Sequence, residues 1–103
     1  MKDLEIAKRR LGNADLRLSI VRDEHVLFET GSHGISGFLR AIQELGERFK
    51  GASDVDKIVG KSVAILCLCS KIEAVYGSAL SMEARELFEE NMVHAAWQEL
   101  WET

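Results

Sequence analysis

Hydrophobic residues recur every three or four positions in two parts of the chain, which is the spacing of one face of a helix. The first group is Leu4, Ala7 and Leu11. The second, longer group is Ile35, Phe38, Leu39, Ile42, Leu45 and Phe49. Helix-breaking residues follow each group, Gly12-Asn13 after the first and Gly51-Ala52 after the second. These patterns predict two amphipathic helices.

Between these helices the pattern changes to alternation. Leu16, Leu18 and Ile20 alternate with polar residues, which is the period of a half-buried strand. Asp23-Glu24 is a suitable tight connection, and the segment from His25 to Glu29 has the composition of a returning strand. The segment 16–29 is therefore predicted to be a β-hairpin.

The segment from Ser53 to Tyr76 opens with acidic residues and becomes almost wholly apolar from Val63. We interpret it as one helix over 54–69, covered on most sides, followed by a short strand over 74–76. Asp54 and Asp56 suit the positive end of the dipole of such a helix.

A further helix is predicted after the break at Gly77-Ser78. Ser81 is a good N-cap, because its hydroxyl can accept a hydrogen bond from a free backbone amide, and Asn91 is a suitable end. The inward-facing residues of this helix are Ala84, Leu87 and Phe88.

The last twelve residues fit two structures. A helix is supported by apolar residues at helical spacing, namely Val93, Ala96, Trp97, Leu100 and Trp101. The alternative is a strand over 92–96 followed by one turn. If helical, Trp97 and Trp101 would form an apolar patch suited to the core or to a homodimer interface.

Taken together, these elements predict an α/β protein, a three-layer α/β/α domain with a mixed four-stranded sheet. The strand after the buried helix is expected to run parallel to a hairpin strand, through a right-handed crossover.

Composition excludes several classes of protein. The 103 residues suit one domain, and the net charge of −4 argues against a nucleic-acid polymer or an anionic membrane as partner. The first residues lack the apolar core of a signal peptide, and the apolar run from Val63 to Cys69 is too short to span a membrane. Two cysteines within one predicted helix form no disulfide framework. We expect a cytoplasmic protein.

Gly60-Lys61-Ser62 is the segment that most strongly suggests a functional site. A phosphate-binding P-loop needs a glycine five residues before the Gly-Lys pair, where this chain has Val55, so a P-loop is not predicted. Two readings of Lys61 stay open. Its stem can lie on apolar surface with the ammonium in water, or it can contact an anionic ligand in a cleft that Asp56 shares.

No metal site or catalytic residue is predicted. On a helix, Cys67 and Cys69 point about 200° apart and cannot reach one ion. The three histidines show no metal-binding spacing, although His33, in a glycine-flanked loop, is a possible ligand contact. No Gly-x-Ser-x-Gly motif marks a serine nucleophile.

Nearly the whole chain resembles a small uncharacterised prokaryotic family, a domain of unknown function with a cytidine-deaminase-like fold. The most specific feature is the Asp-x-x-Val-Gly-Lys-x-x-Ala pattern within residues 56–66. Further matching features are the segment 3–8, the strand pair ending near Phe28, the loop His33-Gly34-Ile35, and Val75-Tyr76 before Ser81. The resemblance favours a strand followed by a short turn for the ambiguous last residues.

The resemblance also implies two departures from the family and from the zinc deaminases. Zinc deaminases carry H-x-E at the start of one helix and P-C-x-x-C at the next. Here Gly60-Lys61 takes the first position, and a chain without proline has no P-C-x-x-C. Zinc-dependent deamination is therefore not expected, and no cofactor is predicted. Family members continue past this chain's last residues into a tail, so we expect a single deaminase-like domain over 1–103 that lacks that tail.

The sequence is compatible with two functions. The first is a non-zinc domain that binds a small anionic ligand or nucleotide through Lys61, Asp56, Gly60, Ser62 and His33. The second is a structural or interaction module that homodimerises through the Trp97 and Trp101 patch or through a sheet edge and does no small-molecule chemistry. Metal-free catalysis with Lys61 as base is a weaker third reading, because the lysine would have to lose its proton near neutral pH.

Overall fold

The computed structural model describes residues 2–12, 15–32 and 34–102. Within them the elements, in chain order, are α1 (Lys2–Leu11), β1 (Leu18–Arg22), β2 (His25–Thr30), α2 (Gly34–Leu45), β3 (Ser53–Val59), α3 (Lys61–Cys69), β4 (Ala74–Ser81), α4 (Met82–Glu90) and β5 (His94–Trp101). A short 3₁₀ turn, Gly46–Phe49, extends α2. No helix in these ranges is long and apolar enough to cross a membrane.

The five strands form one sheet with the order β2-β1-β3-β4-β5. Strand β1 runs antiparallel to both of its neighbours, whereas β3, β4 and β5 are mutually parallel. The predicted mixed α/β fold is confirmed, but the sheet has five strands and not four. The strand after the apolar helix, β4, lies beside β3 and not beside a hairpin strand, because the segment before that helix is itself a strand.

Helices cover both faces of the sheet. Helix α1 contacts β1, β3 and β4 and buries Leu4, Ala7 and Leu11 there, as its spacing predicts. Helices α2, α3 and α4 lie side by side over a second, larger core. The largest fully buried side chains of this second core include Phe38, Phe49 and Phe88. Most of the apolar burial therefore lies on the three-helix face.

The predicted hairpin is confirmed, and its turn is supported from outside. Asp23 and Glu24 both have positive φ, 51° and 67°, as a two-residue hairpin turn requires. The carboxylate of Asp3 accepts hydrogen bonds from both of their amides, at 2.9 and 2.7 Å. The start of α1 thus stabilises a turn that has no glycine.

The helix predicted over 54–69 is wrong in its first half. Residues 53–59 form β3, and the helix begins only at Lys61, with Gly60 as its N-cap. Strand β3 has a neighbour on each side and a helix over each face, so it lacks the alternation of a half-buried strand. Its β-branched residues Val55, Ile58 and Val59 favour a strand.

The two C-terminal strands are longer than predicted. Strand β4 continues through the expected break at Gly77-Ser78 to Ser81, and a Cβ on Gly77 would lie 3.1 Å from Cγ2 of Val59. This glycine therefore serves close packing within the sheet and does not end the strand. Strand β5 reaches Trp101, so the strand reading of the last residues is confirmed and the helical one is wrong. The predicted final turn is part of the strand.

Helix α4 agrees with its sequence signals. The Ser81 hydroxyl accepts a hydrogen bond from the Ala84 amide at 3.1 Å, and Asn91 is the C-cap. Because Ser81 is also the last residue of β4, the strand passes directly into the helix without a loop. The start of α4 is thereby fixed at the carboxyl end of β4.

Candidate functional site

The carboxyl ends of the parallel strands carry the residues that the sequence singles out. Strand β3 ends at Val59 and leads through Gly60 into α3, and β4 leads from Ser81 into α4. The N-termini of α3 and α4 therefore lie side by side at the carboxyl ends of the parallel strands. In open α/β sheets, ligands bind outside the carboxyl ends of the strands.

The start of α3 is open to solvent. Gly60 caps the helix without a side-chain hydrogen bond, and no other group lies within 4 Å of the position of a Cβ there. Ser62 is exposed, and the side chain of Lys61 is 58% exposed. The Lys61 ammonium lies 3.8 Å from the Glu83 carboxylate on α4. This ion pair joins the first turns of the two helices.

The ion pair lies on an open surface and not in a cleft. None of the four cavities described within residues 2–12, 15–32 and 34–102 is lined by Lys61, Glu83 or Gly60. A pair this exposed contributes little to stability, about 0–1 kcal/mol. Lys61 is therefore an accessible cation, and it is not a desolvated one.

The other two predicted contacts do not join this group. Asp56 is a buried residue of β3, and its carboxylate accepts a hydrogen bond from the amide of Ile58 at 3.3 Å. Because Asp56 is buried in the sheet, it is not the group that orients Lys61, whose partner is Glu83. His33 lies outside the described residues.

A second cluster of polar groups lies inside the core. Asp54 on β3 is fully buried, and its Oδ2 accepts a hydrogen bond from the Cys67 thiol of α3 at 3.5 Å. Its Oδ1 has no hydrogen-bond partner among the described residues. Cys69, two residues on, is exposed, so the two sulfurs diverge as the helical spacing predicts.

Burial dominates the electrostatics of this cluster. Burial raises the pKa of Asp54 well above its usual range, and the neighbouring charge of Asp56 raises it further. Burial likewise raises the pKa of Asp56 to about 7, against the lowering effect of hydrogen bonds from nearby amides and of the Arg17 charge. The pKa of Cys67 is raised by burial and by Asp54. All three groups therefore hold a proton more tightly than exposed groups of the same type, and the thiol is a poor nucleophile.

The sequence pattern did not reveal this cluster, because both aspartates were placed in the first turn of a predicted helix and Asp56 was assigned to a ligand cleft. Nothing in a single sequence distinguishes a buried carboxyl from an exposed one. The available signal was the two-residue spacing of Asp54 and Asp56 among β-branched residues, which places both on one face of a strand.

The two tryptophans occupy the outer strand of the sheet. Trp97 and Trp101 lie four residues apart on β5, which separates them by about 13 Å along the strand. The prediction that they form one patch on a helix is therefore wrong. Trp97 is 37% exposed, and the guanidinium carbon of Arg85 lies 6.0 Å from the centre of its ring. Trp101 is partly buried.

Comparison with known proteins gives a family and a neighbouring structure. Residues 6–101 match the model of a domain of unknown function, DUF1893. The crystal structure of a DUF1893 family protein from Thermotoga maritima superposes with a TM-score of 0.76 and 26% sequence identity. The match covers 97% of this chain and 67% of that one. No curated protein matches the chain.

Proposed function

The chain belongs to the DUF1893 family, a domain of unknown function, and we propose that it is an interaction domain. The family suggests no reaction, so the proposal is based on the surface of this chain. In this proposal, strand β5 of one copy pairs with strand β5 of a second copy. The observation that supports it is the contrast between the two edges of the sheet.

The edge formed by β2 carries features that oppose strand addition. The register between β1 and β2 shifts between Ile20 and Val21, which is a bulge. Both carboxylate oxygens of Glu29 accept hydrogen bonds from the Arg10 guanidinium, each at 2.7 Å. Bulges and charged side chains are common means of keeping edge strands unpaired.

The edge formed by β5 has fewer such features: no register shift is found in its pairing with β4, and Glu99 is its one acidic side chain. This strand has eight residues, His94–Trp101, with neither lysine nor proline, and among the described residues it pairs only with β4. Its outer backbone groups are available to another strand. Trp97, the exposed tryptophan of this strand, is of a residue type enriched at protein interfaces.

A second copy of the chain can form hydrogen bonds with the free backbone groups of β5 in a symmetric dimer. Antiparallel pairing of two β5 strands about a two-fold axis normal to the sheet uses the same surface twice, so the assembly closes as a dimer. The result is a ten-stranded sheet with a β2 edge on each outer side, and these edges oppose further growth. A pairing between β5 and β2 would instead produce an open chain of subunits.

Gln98→Lys is expected to weaken self-association about tenfold. Gln98 is exposed near the middle of β5, so the substitution brings two lysines close to each other across the two-fold axis. The matched control is Gln43→Lys, the same change on the exposed face of α2. Sedimentation velocity over a concentration series measures both dissociation constants. Equal dissociation constants for the two variants, or a monomeric wild-type protein, would contradict the proposal.

A second candidate function is binding of a small phosphate-bearing anion, such as the phosphate group of a nucleotide, at the start of α3. The observation that favours it is the N-terminus of this helix, which has no side-chain capping hydrogen bond and lies beside the accessible Lys61 at the carboxyl ends of the parallel strands. The ligand would accept from the amides of the first turn and from the Lys61 ammonium. Glu83 would oppose it, because its carboxylate competes for the same cation.

This candidate predicts opposite effects for two variants. With inorganic pyrophosphate as the probe, Lys61→Met is expected to weaken binding about tenfold, whereas Glu83→Gln is expected to strengthen it because the competing carboxylate is lost. Titration calorimetry measures both affinities. Binding that both substitutions leave unchanged would remove this surface from consideration.

We further infer that the sheet is deaminase-like. In support, α3 and α4 are consecutive helices that begin at one edge of the sheet, which is where zinc deaminases carry their H-x-E and P-C-x-x-C motifs. The corresponding positions here are Gly60-Lys61-Ser62 and the first turn of α4, whose sequence is Met-Glu-Ala-Arg. The Lys61–Glu83 ion pair stands at those two positions.

A further inference from the structure

The largest of the described cavities lies at the end of α3 that is opposite Lys61, near the amino ends of the parallel strands. It is about 420 Å³ in volume and opens between the end of α2, with its 3₁₀ turn, and the end of α3. Binding sites for small molecules usually have volumes of about 300–1,000 Å³. The cavity is therefore large enough for a small organic molecule.

The walls of the cavity have two kinds of surface. Its apolar lining includes Ile42 and the buried ring of Phe49, which is held by the ring of Phe38 at a centroid distance of 5.2 Å. Its polar lining includes Glu47 and two lysines, Lys50 and Lys71. A ligand with an apolar body and a polar end matches this division.

The charge of the lining favours an anion. Lys50 and Lys71 form no ion pair with any described residue, in contrast to Lys2, Arg10 and Lys61. The carboxylate of Glu47 balances one of the two positive charges. The lining therefore has a net charge of +1, which one anionic group would neutralise.

The backbone of the lining is held in place. The Gly51 amide donates a hydrogen bond to the Lys71 carbonyl at 2.9 Å, and this bond ties one wall of the cavity to the other. Lys71 has a φ of 58°, in the left-handed region, where glycine is favoured and an L-residue costs about 1–2 kcal/mol. A long cationic side chain thus stands at the cavity where glycine would be the less strained residue.

We propose that this cavity binds a small amphipathic anion, with the apolar body on Ile42 and Phe49 and the anionic group beside Lys50 and Lys71. The exposed Cys69 thiol also lines the cavity and is close enough to report on its occupation. This site is independent of the strand pairing and of the surface around Lys61.

Octanoate, octan-1-ol and octylammonium test the proposal, because they share an apolar chain and differ in charge. Backbone amide shifts of Gly46, Gly51 and Cys69, measured by NMR during titration, locate and quantify binding. Octanoate is expected to bind at least tenfold more tightly than octan-1-ol, and octylammonium more weakly than either. The double variant Lys50→Met/Lys71→Met is expected to remove the preference for octanoate.

Lys61→Met is the matched control, since it removes one lysine at the carboxyl ends of the parallel strands, away from the cavity. It should leave octanoate binding unchanged, which separates this site from the surface at the start of α3. Three results would overturn the proposal: no shift of these amides with millimolar octanoate, equal binding of octanoate and octan-1-ol, or unchanged octanoate binding in the double variant.

Discussion

Asp54→Asn is expected to stabilise the protein most at alkaline pH and to remove much of the pH dependence of its folding. Asp54 is fully buried, and its Oδ1 has no hydrogen-bond partner among the described residues. In the wild-type protein, rising pH must either ionise this carboxyl in the core or leave it protonated at a free-energy cost. Asparagine keeps the shape and the acceptor for the Cys67 thiol but does not ionise.

The direction of the effect follows from the raised pKa values. Asp54 and Asp56 both bind a proton more tightly in the folded state than in the unfolded chain. Their contribution to the free energy of unfolding is therefore complete below the unfolded pKa values, about 4, and is lost as the pH rises. For Asp56 the fall extends to about pH 7, and the raised pKa of Asp54 adds a loss in the same direction.

Urea denaturation at pH 5, 7 and 9 measures this dependence. The wild-type curve should fall as the pH rises, and the Asp54→Asn curve should fall less. Glu44→Gln, on the exposed face of α2, is the matched control and should follow the wild type. Parallel curves for Asp54→Asn and the wild type would mean that Asp54 does not titrate in the folded state as its burial requires.

Phe38→Ala is expected to reduce the free energy of unfolding by about 3–5 kcal/mol. The Phe38 ring is fully buried beneath α2, and its contact with the ring of Phe49 is lost together with its apolar surface. Domains of this size are stable by only about 5–15 kcal/mol, so the variant should lose a large fraction of its stability.

The neighbouring residue supplies the control for this prediction. Leu39 is on the same helix but is 47% exposed, so Leu39→Ala should cost about 1 kcal/mol or less. Thermal and urea unfolding of both variants give the comparison. Equal losses would show that the main core does not lie beneath α2 as described.

The parts of the fold that could be predicted from the sequence are those with one buried face. Helix α1, helix α2 and the hairpin each show a clear period, because solvent reaches their other side. Strand β3 is covered on both faces and shows no such period. Its aspartates, Asp54 and Asp56, then suggested a helix start, although the dipole argument applies only where a helix exists.

The C-terminal strands show a different limit. The apolar residues of β5 fit a helix as well as a strand, and only pairing with β4 decides between them. Likewise, the Lys61–Glu83 pair joins residues that are distant in sequence, so no local pattern reveals it. The cavity near Lys71 depends on two helix ends that meet only in the folded chain. Contacts of this kind are set by topology, which single-sequence patterns do not determine.

Site-resolved hydrogen exchange tests the pairing of two β5 strands most directly. Backbone amides on the outer side of β5 should exchange more slowly as the protein concentration rises, while those on the outer side of β2 should exchange at a constant rate. Over the same concentrations the mass should rise toward twice the 11.5 kDa of one chain. Exchange from β5 that is independent of concentration, or slowing at β2 instead, would contradict the account.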